Sequence, residues 1–102
     1  MCESPGRLEW DEAKRRENRR KHDVDFVEAA KLVWDAALSI GHERGGERRT
    51  LTYAPIGDRL YALVWTPRGP AVRVISLRKA NSREVDKYEK AQAAHAGRKQ
   101  TD

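Results

Sequence analysis

Between Arg49 and Leu77 the chain carries three apolar runs separated by only two four-residue turns. Residues 49–55 alternate, with Leu51 and Tyr53 on one side. Residues 60–66 are apolar on both sides, and 71–77 form a third run. The turns are Ile56-Gly57-Asp58-Arg59 and Pro67-Arg68-Gly69-Pro70. Connections this short leave no room for a parallel crossover, so consecutive runs must pair antiparallel. The doubly apolar run 60–66 is expected in the centre of the sheet. Residues 36–40 are compatible with another strand, and residues 42–48 read as a polar loop turning at Gly45-Gly46.

Upstream the apolar period is different. Leu8 and Trp10 flank Glu9 as in a short edge strand. Asp11 has the character of a helix N-cap, with Glu12 in the first turn and Arg19, Arg20 and Lys21 in the last, each suiting the helix dipole. Asp23 fits the left-handed stop after it. Asp25 and Glu28 have capping-box spacing for a second helix, on which Phe26, Ala29, Ala30, Val33 and Trp34 form one face. Downstream, Asn81 and Glu84 repeat that spacing ahead of a helix over 82–96, with Val85, Tyr88, Gln92 and His95 along one side. The expected fold is α+β: two N-terminal helices, a central antiparallel sheet and a C-terminal helix. Its expected core is Trp10, Phe26, Ala30, Val33, Trp34, Leu51, Leu63, Val64, Ile75 and Val85.

Size and charge narrow the function. At 102 residues, 38% hydrophobic and 36% charged, the chain supports one domain with a small core. Residues 1–7 and 97–102 are expected to be flexible ends. The net charge of +5 favours a polyanionic partner, whether RNA, DNA or an acidic protein. Cys2 is the lone cysteine, which fits a reducing cytoplasm and leaves no thiolate cluster for zinc. No apolar run approaches the roughly 20 residues of a membrane helix, and residues 1–7 lack the apolar centre of a signal peptide.

Trp10-Asp11, Lys14, Asn18, Lys21-His22, Phe26, Ala29 and Val33-Trp34 resemble, in order and spacing, the opening of the BrnT toxin family. So do Glu47, Arg49, Leu51, Tyr53 and Gly57. The densest match is Arg73-Val74-Ile75-Ser76-Leu77-Arg78-Lys79-Ala80 followed by Glu84 and Tyr88, and the resemblance covers about Leu8 to Tyr88. Four places depart from the pattern: Asp23 stands where glycine is usual, Trp65 for tyrosine, Leu77 for alanine, and Gly41-His42 for an acidic residue. The resemblance implies a RelE-type fold and a ribonuclease toxin that inhibits translation. It also implies a ribbon–helix–helix antitoxin (BrnA-like) and operator DNA bound only through the complex.

Metal-free RNA cleavage needs a base for the 2′-hydroxyl, cations for the phosphorane and an acid for the departing 5′-oxygen. Arginine suits the second task because its planar fork binds phosphate bidentately and stays charged. Arg73 and Arg78 are the leading candidates, with Arg49 in support. Counting by two, however, puts Arg73 and Arg78 on opposite faces unless the strand bends near Leu77. His22 and Tyr88 are the candidates for proton transfer, and Lys21 and Lys79 for RNA binding. No His, Asp, Glu or Cys spacing suggests a metal site, and no cofactor is implied. Two other readings remain open: a non-catalytic module that binds an antitoxin and tunes its DNA binding, and a basic nucleic-acid-binding protein without a partner.

Overall fold

A computed structural model describes residues 7–100. Among these, five strands form one sheet in the order β1-β5-β4-β3-β2. Strands β2 (Leu38–Arg44), β3 (Glu47–Ile56), β4 (Arg59–Arg68) and β5 (Ala71–Lys79) make an antiparallel meander. The central place of β4 is as expected. β1 (Leu8–Glu9) joins β5 in parallel, so the sheet is mixed rather than purely antiparallel. The expected loop over 42–48 is instead a hairpin: β2 and β3 pair as far as Arg44 and Glu47, and Gly45 and Gly46 take the positive φ of the turn.

Helix α1 (Glu12–His22) begins at Asp11, whose carboxylate accepts from the backbone N–H of Ala13 and Lys14, and ends at Asp23 with φ 59°. The second expected helix is not an α-helix. Asp25 does cap it, but Phe26–Lys31 is a 3-10 helix, followed by a shorter one over Trp34–Ala36. A 3-10 helix repeats every three residues, so Phe26, Ala29 and Leu32 are buried while Ala30 and Val33 are exposed. That corrects two members of the expected core. The last helix, α2 (Ser82–Gln100), continues past Gly97. Residues 1–6, 101 and 102 of the expected flexible ends lie outside the described residues. The carbonyl of Arg7 accepts from Val72 N–H, which extends the β1–β5 pairing by one bond. No described helix is long and apolar enough to cross a membrane.

The two faces of the sheet bury different clusters. On one face Phe26, Val24, Ala29 and Leu32 pack on Ala54, Leu63, Val74 and Leu77, with Trp10 edge-on to Phe26. On the other, Val85 and Tyr88 of α2 pack on Tyr53, Leu60, Ala62 and Ala80. Of the other expected core residues, Phe26 and Leu63 are fully buried, and Trp10, Trp34, Leu51, Val64, Ile75 and Val85 partly so.

A polar residue closes the outer edge of β5. Asn18, the buried residue of a highly charged α1, donates from Nδ2 to the Leu77 carbonyl (2.7 Å) and the Val24 carbonyl (2.9 Å). It accepts from the Leu77 N–H at 3.2 Å. One side-chain amide thus makes the bonds that a neighbouring strand would make. Asn18→Ala would orphan three buried backbone groups, each costing about 1–3 kcal/mol if left unpaired. Water can reach the edge from the adjacent cleft, so a net loss of about 2 kcal/mol is expected, read as a lower unfolding midpoint in urea. An unchanged midpoint would refute the edge-closing role.

Candidate active site

Cross-strand pairs share a face in an antiparallel sheet, so the register assigns every strand residue to one side. Leu77 is opposite Leu63, and Leu63 opposite Thr52, which places all three against the Phe26 cluster. Arg78 is opposite Ala62, and Ala62 opposite Tyr53, on the α2 side. Simple alternation would then return Arg73 to the Phe26 side. It does not, because the register shifts: Val64 pairs with Ser76 and Trp65 with Val74, leaving Ile75 without a partner. This β-bulge adds one residue and inverts the alternation behind it. Arg73 pairs with Thr66 and so shares the face of Arg78. Arg49 precedes Thr50, which is opposite Trp65, and therefore falls on that face too.

Helix α2 packs over the end of this face formed by Tyr53, Leu60, Ala62 and Ala80. Beyond it lie Arg49, Arg73 and Arg78, each with 24–32% of its side chain exposed. Each arginine has a carboxylate. Arg49 Nε donates to Glu47 at 2.9 Å, and Arg73 Nη1 to Glu9 at 3.2 Å. Arg78 meets Glu84 with both terminal nitrogens at 2.8 Å. Glu84 also accepts from Tyr53 OH (2.9 Å) and from Asn81 N–H (2.9 Å), while Asn81 Oδ1 accepts from Glu84 N–H to complete the capping box.

A cleft of about 180 Å³ lies between α1 and the bulge, lined by Lys14, Glu17, Asn18, Lys21, His22, Ile75 and Ser76. Ser76 is on the arginine face, so Lys21 and His22 approach that face from the edge of β5. The structure thus sets Lys21 and His22 in a cleft at the bulge, against Ile75 and Ser76, with Arg49, Arg73 and Arg78 on the sheet face that Ser76 shares. It does not bring Tyr88 or Lys79 there. Tyr88 OH donates to the Ala36 carbonyl at 2.7 Å and accepts from Gln92, under α2. Lys79 is opposite Tyr61 on the other face, beside Arg19 and Asp25. The side chains of His42 and His95 lie outside the described residues, as does Cys2. Among the described residues no three His, Cys, Asp or Glu side chains are grouped to hold a metal.

Sequence reasoning missed Glu9, Glu47, Ser76 and Asn18 as neighbours of this site, and saw Glu84 only as a cap. The capping spacing was the signal for Glu84. Its bond to Arg78, six residues earlier, follows from the meander rather than from any motif.

Two carboxylates here shape the acid response. The Arg78 guanidinium, then the Asn81 N–H and the Tyr53 hydroxyl, hold Glu84 down at about 2 against the pull of burial. The Arg15 guanidinium, then the Val27 N–H, do the same for Asp25, also to about 2. Both groups bind protons less readily folded than unfolded, so their stabilisation is complete above the ordinary carboxylate range and lost as pH falls towards 2. The thermal midpoint should therefore fall on acidification from about pH 5 to about pH 2.5. The fall should be shallower in Asp25→Asn/Glu84→Gln, and identical slopes would refute the assignment.

A family described as the BrnT ribonuclease toxin of type II toxin–antitoxin systems matches residues 10–84. The crystal structure of the Brucella abortus ribonuclease toxin BrnT superposes with a TM-score of 0.63 at 27% identity, covering 76% of this chain and 99% of that one. No curated protein sequence matches the chain. The matched segment spans the arginine face, the bulge and the α1 cleft, from Trp10 to Glu84. The chain belongs to the BrnT family of ribonuclease toxins of type II toxin–antitoxin systems.

Proposed function

We propose that this toxin is a metal-independent endoribonuclease that cleaves RNA on the face carrying Arg49, Arg73 and Arg78, and so arrests translation. The observation that carries this reading is the bulge at Ile75, without which Arg73 and Arg78 would face apart. Arg73 and Arg78 contact the scissile phosphate and its transition state, and Arg49 supports them from β3. The 2′-oxygen attacks phosphorus as its proton passes to a base, the new O–P bond closes a 2′,3′-cyclic phosphate, and the bond to the 5′-oxygen breaks as that oxygen takes up a proton. His22 serves proton transfer from the cleft beside Ser76, and Lys21 holds a neighbouring phosphate. Tyr88 and Lys79 are set aside, since one is tied to Ala36 and the other faces away.

The partner in this reading is a ribbon–helix–helix antitoxin that covers the basic face in the cytoplasm. Operator DNA is met only through that complex. Induction of the toxin alone in a bacterial host, with mapping of RNA 5′ ends, is the test. Growth arrest with new 5′ ends is expected, and a chelator should leave cleavage of purified RNA intact. Antitoxin binding without arrest or cleavage would favour a non-catalytic module instead, and cleavage abolished by the chelator would overturn the metal-free chemistry.

A further inference from the structure

We infer that Glu84 is a positioning residue for Arg78, fixing the guanidinium in the orientation from which it meets the phosphate. This rests on the reading above that Arg78 acts at the site. The three carboxylates beside the arginines are not equivalent. Glu9 and Glu47 each hold one arginine nitrogen, and their side chains are 33% and 46% exposed. A phosphate can displace them, because water readily takes up what they release. Glu84 is 16% exposed and accepts four hydrogen bonds, from two nitrogens of Arg78, from Tyr53 and from the Asn81 backbone. It is gripped at once by β3, β5 and the start of α2, and its oxygens are nearly saturated.

The chemistry of the fork makes this useful rather than inhibitory. A guanidinium has five N–H groups. Glu84 takes one from each terminal nitrogen and the Lys79 carbonyl accepts from Nη1 at 3.4 Å, so Nε–H and the second N–H of Nη2 remain for phosphate oxygens. An arginine on a half-exposed strand would otherwise sample many rotamers. Held by Glu84, it needs no reordering when charge develops, and such preorganisation acts on the rate of the step more than on substrate binding.

The test is cleavage of a messenger RNA in a reconstituted bacterial translation mixture, followed as a function of toxin concentration. The maximal rate and the half-saturating concentration are read separately. Arg78→Ala should lower the maximal rate about 100- to 1000-fold. Glu84→Gln retains a capping acceptor but turns an amino group towards Arg78. It should lower the maximal rate about 10- to 100-fold with little change in half-saturation. The double variant should be no slower than Arg78→Ala alone. Asn81→Ala weakens the start of α2 without removing the carboxylate, and should lower thermal stability while keeping the wild-type rate. Should Glu84→Gln fail to fold, Tyr53→Phe removes one donor with the capping box intact and should slow cleavage several-fold. A wild-type maximal rate for Glu84→Gln, or for Tyr53→Phe in its place, beside a crippled Arg78→Ala overturns the inference alone. So does an equal loss from Glu84→Gln with and without Arg78, or an equal loss in Asn81→Ala. A wild-type rate in Arg78→Ala overturns the placement of the site as well.

Discussion

Arg73→Ala is expected to lower RNA cleavage by about 100- to 1000-fold, the range seen when one preorganised donor to a developing negative charge is removed. The arginine is well placed for that role. It lies on the open face, opposite Thr66, with its guanidinium held, among the described residues, by Glu9 at 3.2 Å. Because Glu9 is itself a third exposed, the pair contributes little to stability, about 1 kcal/mol at most. β1 stays attached without it, since its pairing with β5 runs through the backbone and Leu8 packs on the Phe26 cluster. The variant should therefore fold, bind antitoxin and fail to arrest growth. A folded Arg73→Ala that cleaves RNA at the wild-type rate would remove this face from the chemistry.

How far that site could be read beforehand follows from particular residues. The meander was legible because Gly57 and Gly69 sit in short turns between alternating runs, and turn chemistry acts locally. The bulge was not. Val72 to Leu77 contains no glycine or proline, and the extra residue appears only when β4 imposes its own register on β5. The candidate arginines were thus visible as residue types, while their convergence depended on a contact between strands. Asn18 was hidden differently: in a helix of charged residues an amide looks solvated, and its partners, the unpaired edge at Leu77 and the Val24 carbonyl, come from folding. The pairing of Glu9, Glu47 and Glu84 with the three arginines escaped notice because net charge conceals pairing.

The segment after α1 shows where periodicity itself runs out, and it sets the second large effect. Phe26 and Ala29 satisfy both a 3.6-residue and a 3-residue repeat. The two part only at Ala30 and Val33 against Leu32, too few residues to decide from sequence. The structure decides for the tighter repeat, leaving Val33 46% exposed and Phe26 fully buried against Leu63, Val74 and Leu77. Phe26→Ala should then cost about 3–5 kcal/mol, the transfer free energy of the ring plus the cavity it leaves. Collapse into that cavity is restricted, because its walls are strand residues held in a ladder and Trp10, whose ring meets Phe26 at 6.0 Å and 66°. For a domain near 100 residues each kcal/mol shifts the thermal midpoint by roughly 4–8 °C, so a drop of about 12–40 °C is expected. That is enough to leave much of the chain unfolded at growth temperature and to abolish toxicity without touching the arginine face. Val33→Ala, by contrast, should shift the midpoint by only a few degrees. Melting curves of the two variants side by side give the answer: equal losses would restore the α-helical face, and a stable Phe26→Ala would mean that the core under β4 and β5 is not where its contacts place it.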